Sequence, residues 1–495
     1  MEIGSSPSWA QIGWAQLPKP GSNSQIKLFK EWLRVCDEQH NHHFNPRNKL
    51  PTRVLDLGST EKPNLCLCDG FTSMSEGYVA LSHCWGVDQH FKTLQSNIDA
   101  FKQHIKFDNL PATFRDAIRV TMALGFRYLW IDSLCIIQDD PDDWEREAAS
   151  MEHVFSSANL TIAASSARSS SEGFWLSKRP QQPRVAIRAP SGSSLLFTRF
   201  SDDFCQDVEQ SVLNERGWVL QERALARRTI HFTSTQVYWE CGSGIHCESL
   251  MKLVNPKAAF LGDSDFPKSA LGLFKGARIL LFQALYETYS ALEFTNITDR
   301  SIAIKGLEGR LVNTFSTKGG FGVFEGYLHR SLLWQRRGET ALAPITYPAK
   351  RHVPTWSWMA YTGGICYMEA MFDHVDWTND VLSPFVTESG RKQHWEAANN
   401  DIVPWLHCRV KQLKLKDSDI SERIVFDDAR HSGIEGLFCV VLGIDKVASP
   451  PDSAVHFVLV ITRAPQAEFV QYTRVGVGKL LRKHVSEDLG MSVIV

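Results

Sequence analysis

The sequence predicts an α/β protein with a parallel-sheet core covered by helices on both faces, followed by a mixed helical and β-rich C-terminal region. Three observations predict it. Tyr78-Val79-Ala80-Leu81 and Tyr128-Leu129-Trp130-Ile131 are short, unbroken apolar runs, the pattern of strands buried on both faces as in a parallel sheet. Between them Phe114, Ala117, Ile118, Thr121, Met122 and Leu124 recur at helical period and Gly125 ends the helix, so strand, helix and strand make a βαβ unit with a right-handed crossover. Beyond Glu248 the texture changes to longer helical periods, and from about residue 400 to segments that suggest strands.

At 495 residues the chain exceeds one ordinary core, which sets a prior of two or three domains. A net charge of −2 argues against the electrostatic footprint of a nucleic-acid binder, and no such partner is expected. Eleven cysteines, odd in number and scattered, fit a reducing compartment with most thiols buried and inert. The start, MEIGSSPSWAQIGW, has neither a basic region nor an apolar core, unlike a secretory signal. No apolar run reaches the length of a membrane span, so no membrane partner is expected. A cytoplasmic location is the expectation.

Taken in order, a Ser-, Gly- and Pro-rich arm over 1–25 leads to a helix over 28–40, with Leu28, Trp32, Leu33 and Cys36 on one stripe. Cys36, His40, His42 and His43 suggest a metal cluster, but no second ligand pair follows at finger spacing. A helix end followed by a polar loop is the favoured reading. Cys66 and Cys68 are expected on alternating faces of a strand rather than on one ion. Leu50 to Leu57 reads as a short strand. Trp144 to Phe155 is a second helix with an acidic start and a stripe of Met151, Val154 and Phe155, complementing the helix dipole. Ala158 to Ala164 is a further strand. Two β-segments flank Ser191-Gly192-Ser193, a helix carries Trp218 and Glu222, and strands follow over 229–232 and 236–240.

Chemistry concentrates where strands end. Leu81 leads into Ser82-His83-Cys84-Trp85-Gly86, and Ile131 into Asp132-Ser133-Leu134-Cys135-Ile136-Ile137-Gln138-Asp139-Asp140. Open α/β sheets collect ligands at such positions. Asp132 is expected either to cap the next turn or to orient a site residue. A Cys–His hydrolase using Cys84 or Cys135 with His83 is disfavoured: neighbours on a strand point to opposite faces, and burial would silence Cys135. A zinc set of Cys241, His246 and Cys247 is crowded and lacks a fourth ligand, so no metal site is expected.

Three blocks together resemble a known family: Leu81 to Gly86, Tyr128 to Ile136 with Gln138-Asp139-Asp140, and Arg216-Gly217-Trp218 with Gln221-Glu222. Their order and spacing are similar to the heterokaryon incompatibility (HET) domain of filamentous fungi. Leu50-Pro51-Thr52-Arg53 before it and Pro354-Thr355-Trp356-Ser357-Trp358 after it agree. The resemblance covers roughly 50–365 and divides the chain into an N-terminal arm and helix (1–49), a HET domain (50–250), a helical extension (251–365) and a β-rich end (366–495). It implies a fungal protein of non-self recognition, an effector of programmed cell death, with self-association and a second incompatibility protein as partners. Other relatives lie beside secondary-metabolite genes, so an accessory metabolic role is an alternative, as is a non-catalytic oligomerisation module.

The family's similarity to Toll/interleukin-1 receptor (TIR) domains implies a flavodoxin-like parallel sheet, and with it NAD cleavage at the nicotinamide–ribose bond by a glutamate in a Trp-x-x-x-Glu helix. Trp218 to Glu222 has that spacing. NAD would be substrate, with no cofactor. The transition state is an oxocarbenium ion wanting nearby negative charge and ordered ribose hydroxyls. Glu222 and Asp132 are the expected catalytic residues. Ser82 and His83 would be polar contacts, Trp85 or Trp218 an aromatic wall and Arg216 a phosphate contact, with Gln221 in the substrate-binding set. Under the bland alternative Glu222 pairs with Arg223 or Arg227, and Trp218 is core.

Overall fold

The computed structural model describes residues 16–40, 50–58, 64–69, 77–87, 91–175, 179, 184–188, 194–198, 202–253, 268–385, 405–415, 424–428, 430–431, 435–446, 454–464 and 470–495. His42, His43 and the Ser191-Gly192-Ser193 turn lie outside them. The chain divides into two compact units, Met1–Phe266 and Pro267–Val495.

In the first unit the elements run β1 (Arg53–Asp56), β2 (Cys66–Asp69), β3 (Tyr78–Ser82), β4 (Tyr128–Trp130), β5 (Leu160–Ala163), β6 (Arg184–Arg188), β7 (Ser194–Thr198), β8 (Arg228–Phe232), β9 (Val237–Cys241), β10 (Gly244–Cys247) and β11 (Lys252–Leu253). The helices are α1 (Asn23–Gln39), α2 (Ile98–Gln103), α3 (Ala112–Leu124), the single turn α4 (Asp132–Cys135), α5 (Pro141–Ser157) and α6 (Gly217–Leu225). Nine strands form one sheet in the order β11-β10-β9-β8-β5-β3-β4-β1-β2. Only its centre is parallel: β4, β3, β5 and β8 pair side by side in one direction, while β1, β2, β9, β10 and β11 flank it antiparallel. The expected parallel core is thus the middle of a mixed sheet. Tyr128–Trp130, though buried as a sheet strand should be, is not the middle strand; β5 is.

The pleat sorts the core. Tyr78, Ala80 and Ser82 face one side with Trp130, where the Tyr78 hydroxyl donates to the Val154 carbonyl and Trp130 meets Phe155 edge-on. That is the side of α5 and α6. The other side carries α1 and α3, with Phe29 and Trp32 of α1 against Phe232 of β8 and Trp239 of β9. Gly125 ends α3 at φ +92°, as its position predicts. The run Leu134 to Ile137 does not continue the strand: Asp132 starts a helical turn, and Arg53 donates to the Cys135 carbonyl while pairing with Asp143 at the start of α5. Those contacts pull the chain out of the sheet.

Cys66 and Cys68 do not alternate. Residues two apart on a strand share a face, and their sulfurs lie 3.8 Å apart. The β6–β7 hairpin matches the two segments expected around 191–193.

The second unit opens with helices α7 (Lys275–Ser290) and α8 (Lys305–Thr314) around the buried rings of Phe282, Tyr286, Tyr289, Phe324 and Trp358. Strands Leu406–Leu413, Leu437–Asp445, Val455–Arg463, Gln471–Leu481 and Val485–Ile494 then pair in a closed ring. Arg474, fully buried, pairs with Asp427 and lies 3.3 Å from the centre of the Trp334 ring. Desolvating such a charge is tolerable only with this degree of pairing. No helix among the described residues is long and apolar enough to cross a membrane.

Candidate functional site

The parallel centre runs outward in both directions from β3. The chain leaves β3 for β4 through α3 on one face, then returns to β5 through α5 on the other. Strand order therefore reverses between β3 and β5, and the crevice beyond their carboxyl ends is the ligand position of an open α/β sheet. Ser82 and Ala163, paired across the two strands, end there.

Ser82 points to the α6 side and His83, one residue on, to the α3 side, where its ring meets Phe114 edge-on at 5.1 Å. Cys84 returns to the α6 side, packed with Ala163, Leu213 and Val219. No Cys–His pair forms here, for the pleat reason already given. Burial pushes the Cys84 thiol up, and that of Cys135 up to about 12. Gly86 turns the chain at φ +80°, and a Cβ there would stand 2.4 Å from that of Ser169. Ser170 donates its backbone N–H to the Trp85 carbonyl, which clamps the turn against the loop after β5.

Asp132 reaches back to this segment. Its Oδ2 accepts from the Trp85 indole N–H at 2.6 Å, and its Oδ1 accepts from Ser133 N–H at 2.7 Å and lies 3.8 Å from His83 Nδ1. One oxygen thus stays within its own turn, on the Ser133 N–H, while the other fixes the Trp85 ring. Gln138 braces the same loop by donating to the carbonyls of Asp132 and Ile136. Burial pushes the imidazole of His83 down to about 4, against the pull of Asp132 and with the help of Arg216. His83 is neutral at pH 7.

Helix α6 supplies the third part. Arg216, its N-terminal cap residue, donates a guanidinium N–H to the His83 carbonyl, tying the helix to the strand end. Trp218 and Glu222 stand one turn apart, as four-residue spacing on a helix requires. Trp218 is half-buried and meets Trp144 of α5 edge-on at 6.4 Å. Gln221 is buried within the helix. Glu222 is 7% exposed. Burial pushes its carboxyl up to about 7; the Ser82 hydroxyl, facing it from outside regular hydrogen-bond geometry, pulls the value back, Asp132 raises it and Arg216 lowers it.

The cations expected to neutralise Glu222 under the bland alternative are engaged elsewhere. Arg223 makes a two-pronged pair with Glu240 at 2.7 and 2.8 Å, and His231 completes the triad at 2.9 Å. Arg227 donates to the Ala158 carbonyl. Glu222 and Arg223 are consecutive and so point about 100° apart on the helix, a signal already present in the sequence. The Arg223–Glu240–His231 triad itself was not anticipated. It underlies the site, bordering a small void also lined by Ser82, Thr161 and Thr229.

An α/β domain whose polar side chains gather beyond the carboxyl ends of the parallel strands at the centre of its sheet is the class of protein the geometry defines. Residues 78–222 match the family model described as heterokaryon incompatibility protein (HET). The segment from β3 through Glu222 is therefore a HET domain, and every predicted site residue lies within it. No curated protein and no solved structure matches the chain.

Proposed function

We propose that this protein acts in fungal heterokaryon incompatibility as a cell-death effector, and that its HET domain cleaves NAD at the nicotinamide–ribose bond with Glu222 as the catalytic carboxylate. The observation that carries the reading is the placement of Glu222. It is a nearly buried acid with no ion pair among the described residues, facing Ser82 at the sheet's switch point. The parallel strands, counted in chain order, run 2-1-3-4, the order of flavodoxin-like sheets, which supports the TIR-like reading.

Nicotinamide leaves as a neutral base, and water then adds to C1′ of the ribosyl cation and loses a proton to solvent, so the reaction needs charge stabilisation more than proton transfer. In its ionised form Glu222 hydrogen-bonds the ribose hydroxyls and offsets the oxocarbenium charge in a site where low dielectric strengthens the effect. Asp132 holds Trp85 as the aromatic wall, and neutral His83 adds no opposing cation. The test is release of nicotinamide from NAD by the full-length chain, across a range of protein concentrations. Wild type releases it and Glu222→Ala or Glu222→Gln does not. Equal rates in all three, or no release even at high protein concentration, would remove the reading and favour a non-catalytic signalling module.

A further inference from the structure

Two half-sites that look inadequate in the sequence meet on the far side of the sheet from Glu222. Cys36 and His40 lie four residues apart at the C-terminal end of α1, on the face turned to the sheet. Cys241 ends β9, and its register partner on β8 is Arg228, so its side chain lies on the α1 face with Trp239. The Sγ atoms of Cys36 and Cys241 and a ring nitrogen of His40 all lie within 4.8 Å of one another. His40 Nδ1 stands 3.5 Å from Cys241 Sγ across 201 residues of sequence.

That spacing has a specific meaning. Zinc bonds of about 2.3 Å to sulfur and about 2.05 Å to nitrogen, at the tetrahedral angle, set sulfur and nitrogen about 3.6 Å apart. The pair already occupies one edge of such a tetrahedron. On the hairpin Gly244 pairs with Cys241 and His246 with Trp239, so His246 projects from the same face, beyond the three donors already within 4.8 Å of one another and placed to turn in as a fourth. It is half-buried and within electrostatic reach of both Cys241 and His40. Cys247, grouped with Cys241 and His246 in the sequence, drops out. It faces the opposite side, packed with Phe204, Val208 and Tyr238.

We infer that Cys36, His40, Cys241 and His246 form a structural zinc site that fastens the end of α1 to the β9–β10 hairpin. Both cysteines are buried, at 1% and 4% exposure, and bind as thiolates once their protons leave. The contact with Cys241 and burial push the Cys36 thiol up, and Arg228, held by Asp37 and the Asn159 carbonyl, pulls against them. With His246 turned in as the fourth donor no open position is left, which makes the ion a structural rather than a catalytic one.

The test is metal content and spectroscopy on the full-length protein. Protein purified without chelator should hold about one zinc per chain. Cobalt(II) exchange should give a thiolate-to-cobalt band in the near ultraviolet with strong tetrahedral d–d absorption. Cys241→Ser should weaken zinc binding by roughly 100-fold or more, and His40→Ala or His246→Ala by on the order of tenfold. Cys205→Ser, at an exposed thiol, should change nothing. Should Cys241→Ser fail to fold, the wild-type cobalt spectrum and the two histidine variants decide. Absence of zinc with a weak octahedral cobalt spectrum overturns the inference, as does a mass two hydrogen atoms lighter, which would mark a Cys36–Cys241 disulfide.

Discussion

The Trp85 indole donates to Asp132 Oδ2 at 2.6 Å, joining the exits of β3 and β4 across 47 residues of sequence. One carboxylate thereby fixes an aromatic ring and sets the field at two titratable neighbours, His83 and Glu222. Asp132 is a positioning residue on this reading, and a charge-removing variant separates its two effects. Asp132→Asn keeps an oxygen for the indole but takes away the negative charge that raises the Glu222 pKa. If the ionised carboxylate is the active form, nicotinamide release rises with pH through about 7 in wild type. In Asp132→Asn that limb should move to lower pH with KM little changed. A profile that falls in amplitude without moving would show that the charge of Asp132 does not reach Glu222.

Glu222 should also cost stability. Its carboxyl is held at about 7 against the usual 4.5, so the folded state binds the proton more tightly than the unfolded chain. The stabilising contribution is complete below pH 4.5 and is lost as pH rises through about 7, to a total of about 3 kcal/mol. Glu222→Gln should therefore be about as stable as wild type at pH 4.5 and more stable by up to about 3 kcal/mol at pH 8. Urea denaturation at several pH values, followed through the transition of the first unit, measures it. His83 acts in the opposite direction. Its pKa is lowered to about 4 from 6.5, so its contribution is present above pH 6.5 and lost as pH falls toward 4. The difference between wild type and Glu222→Gln cancels that background.

How much of this was legible in the sequence depended on how local the determinant was. The βαβ unit, the Gly125 helix stop and the Trp218–Glu222 face follow from unbroken apolar runs and a period of 3.6 residues, and they stand as read. The fate of Leu134 to Ile137 was not legible, because an apolar run of four fits a strand or a buried turn equally. Arg53, 82 residues away from Cys135, decides it. The antiparallel flanks were hidden for a similar reason, since register between strands is a property of the pair. Cys36 with Cys241 shows the same limit. Each half-site was visible, and only the packing of α1 on β9 brings them together.

The Arg223–Glu240–His231 triad should behave as a unit. All three residues are buried, and Arg223 holds the carboxyl of Glu240 well below the usual range despite its burial. Glu240→Gln leaves the Arg223 guanidinium buried without its counter-charge and should cost about 3–5 kcal/mol. Replacing both as Arg223→Met with Glu240→Leu removes two charges together and should cost much less than the sum of the single changes. A double-mutant cycle by chemical denaturation reads the coupling. Additive losses would mean the triad contributes no mutual stabilisation.

Two glycines separate backbone strain from steric conflict at the site. Gly86 and Gly125 both have left-handed backbones, at φ +80° and +92°, so an L side chain is strained at either, by about 1–2 kcal/mol. A Cβ at Gly125 meets nothing within 4 Å, whereas one at Gly86 would lie 2.4 Å from the Ser169 Cβ and 3.1 Å from its Cα. Gly125→Ala should therefore cost only the conformational strain. Gly86→Ala must in addition push the Ser169–Ser170 loop away from the Trp85 carbonyl, and should cost at least about 1 kcal/mol more. Because Trp85 moves with that loop, Gly86→Ala should also lower nicotinamide release while Gly125→Ala leaves it unchanged. Thermal unfolding and the release assay on the same two variants measure both halves. Equal destabilisation would show that the loop yields to the added methyl without cost.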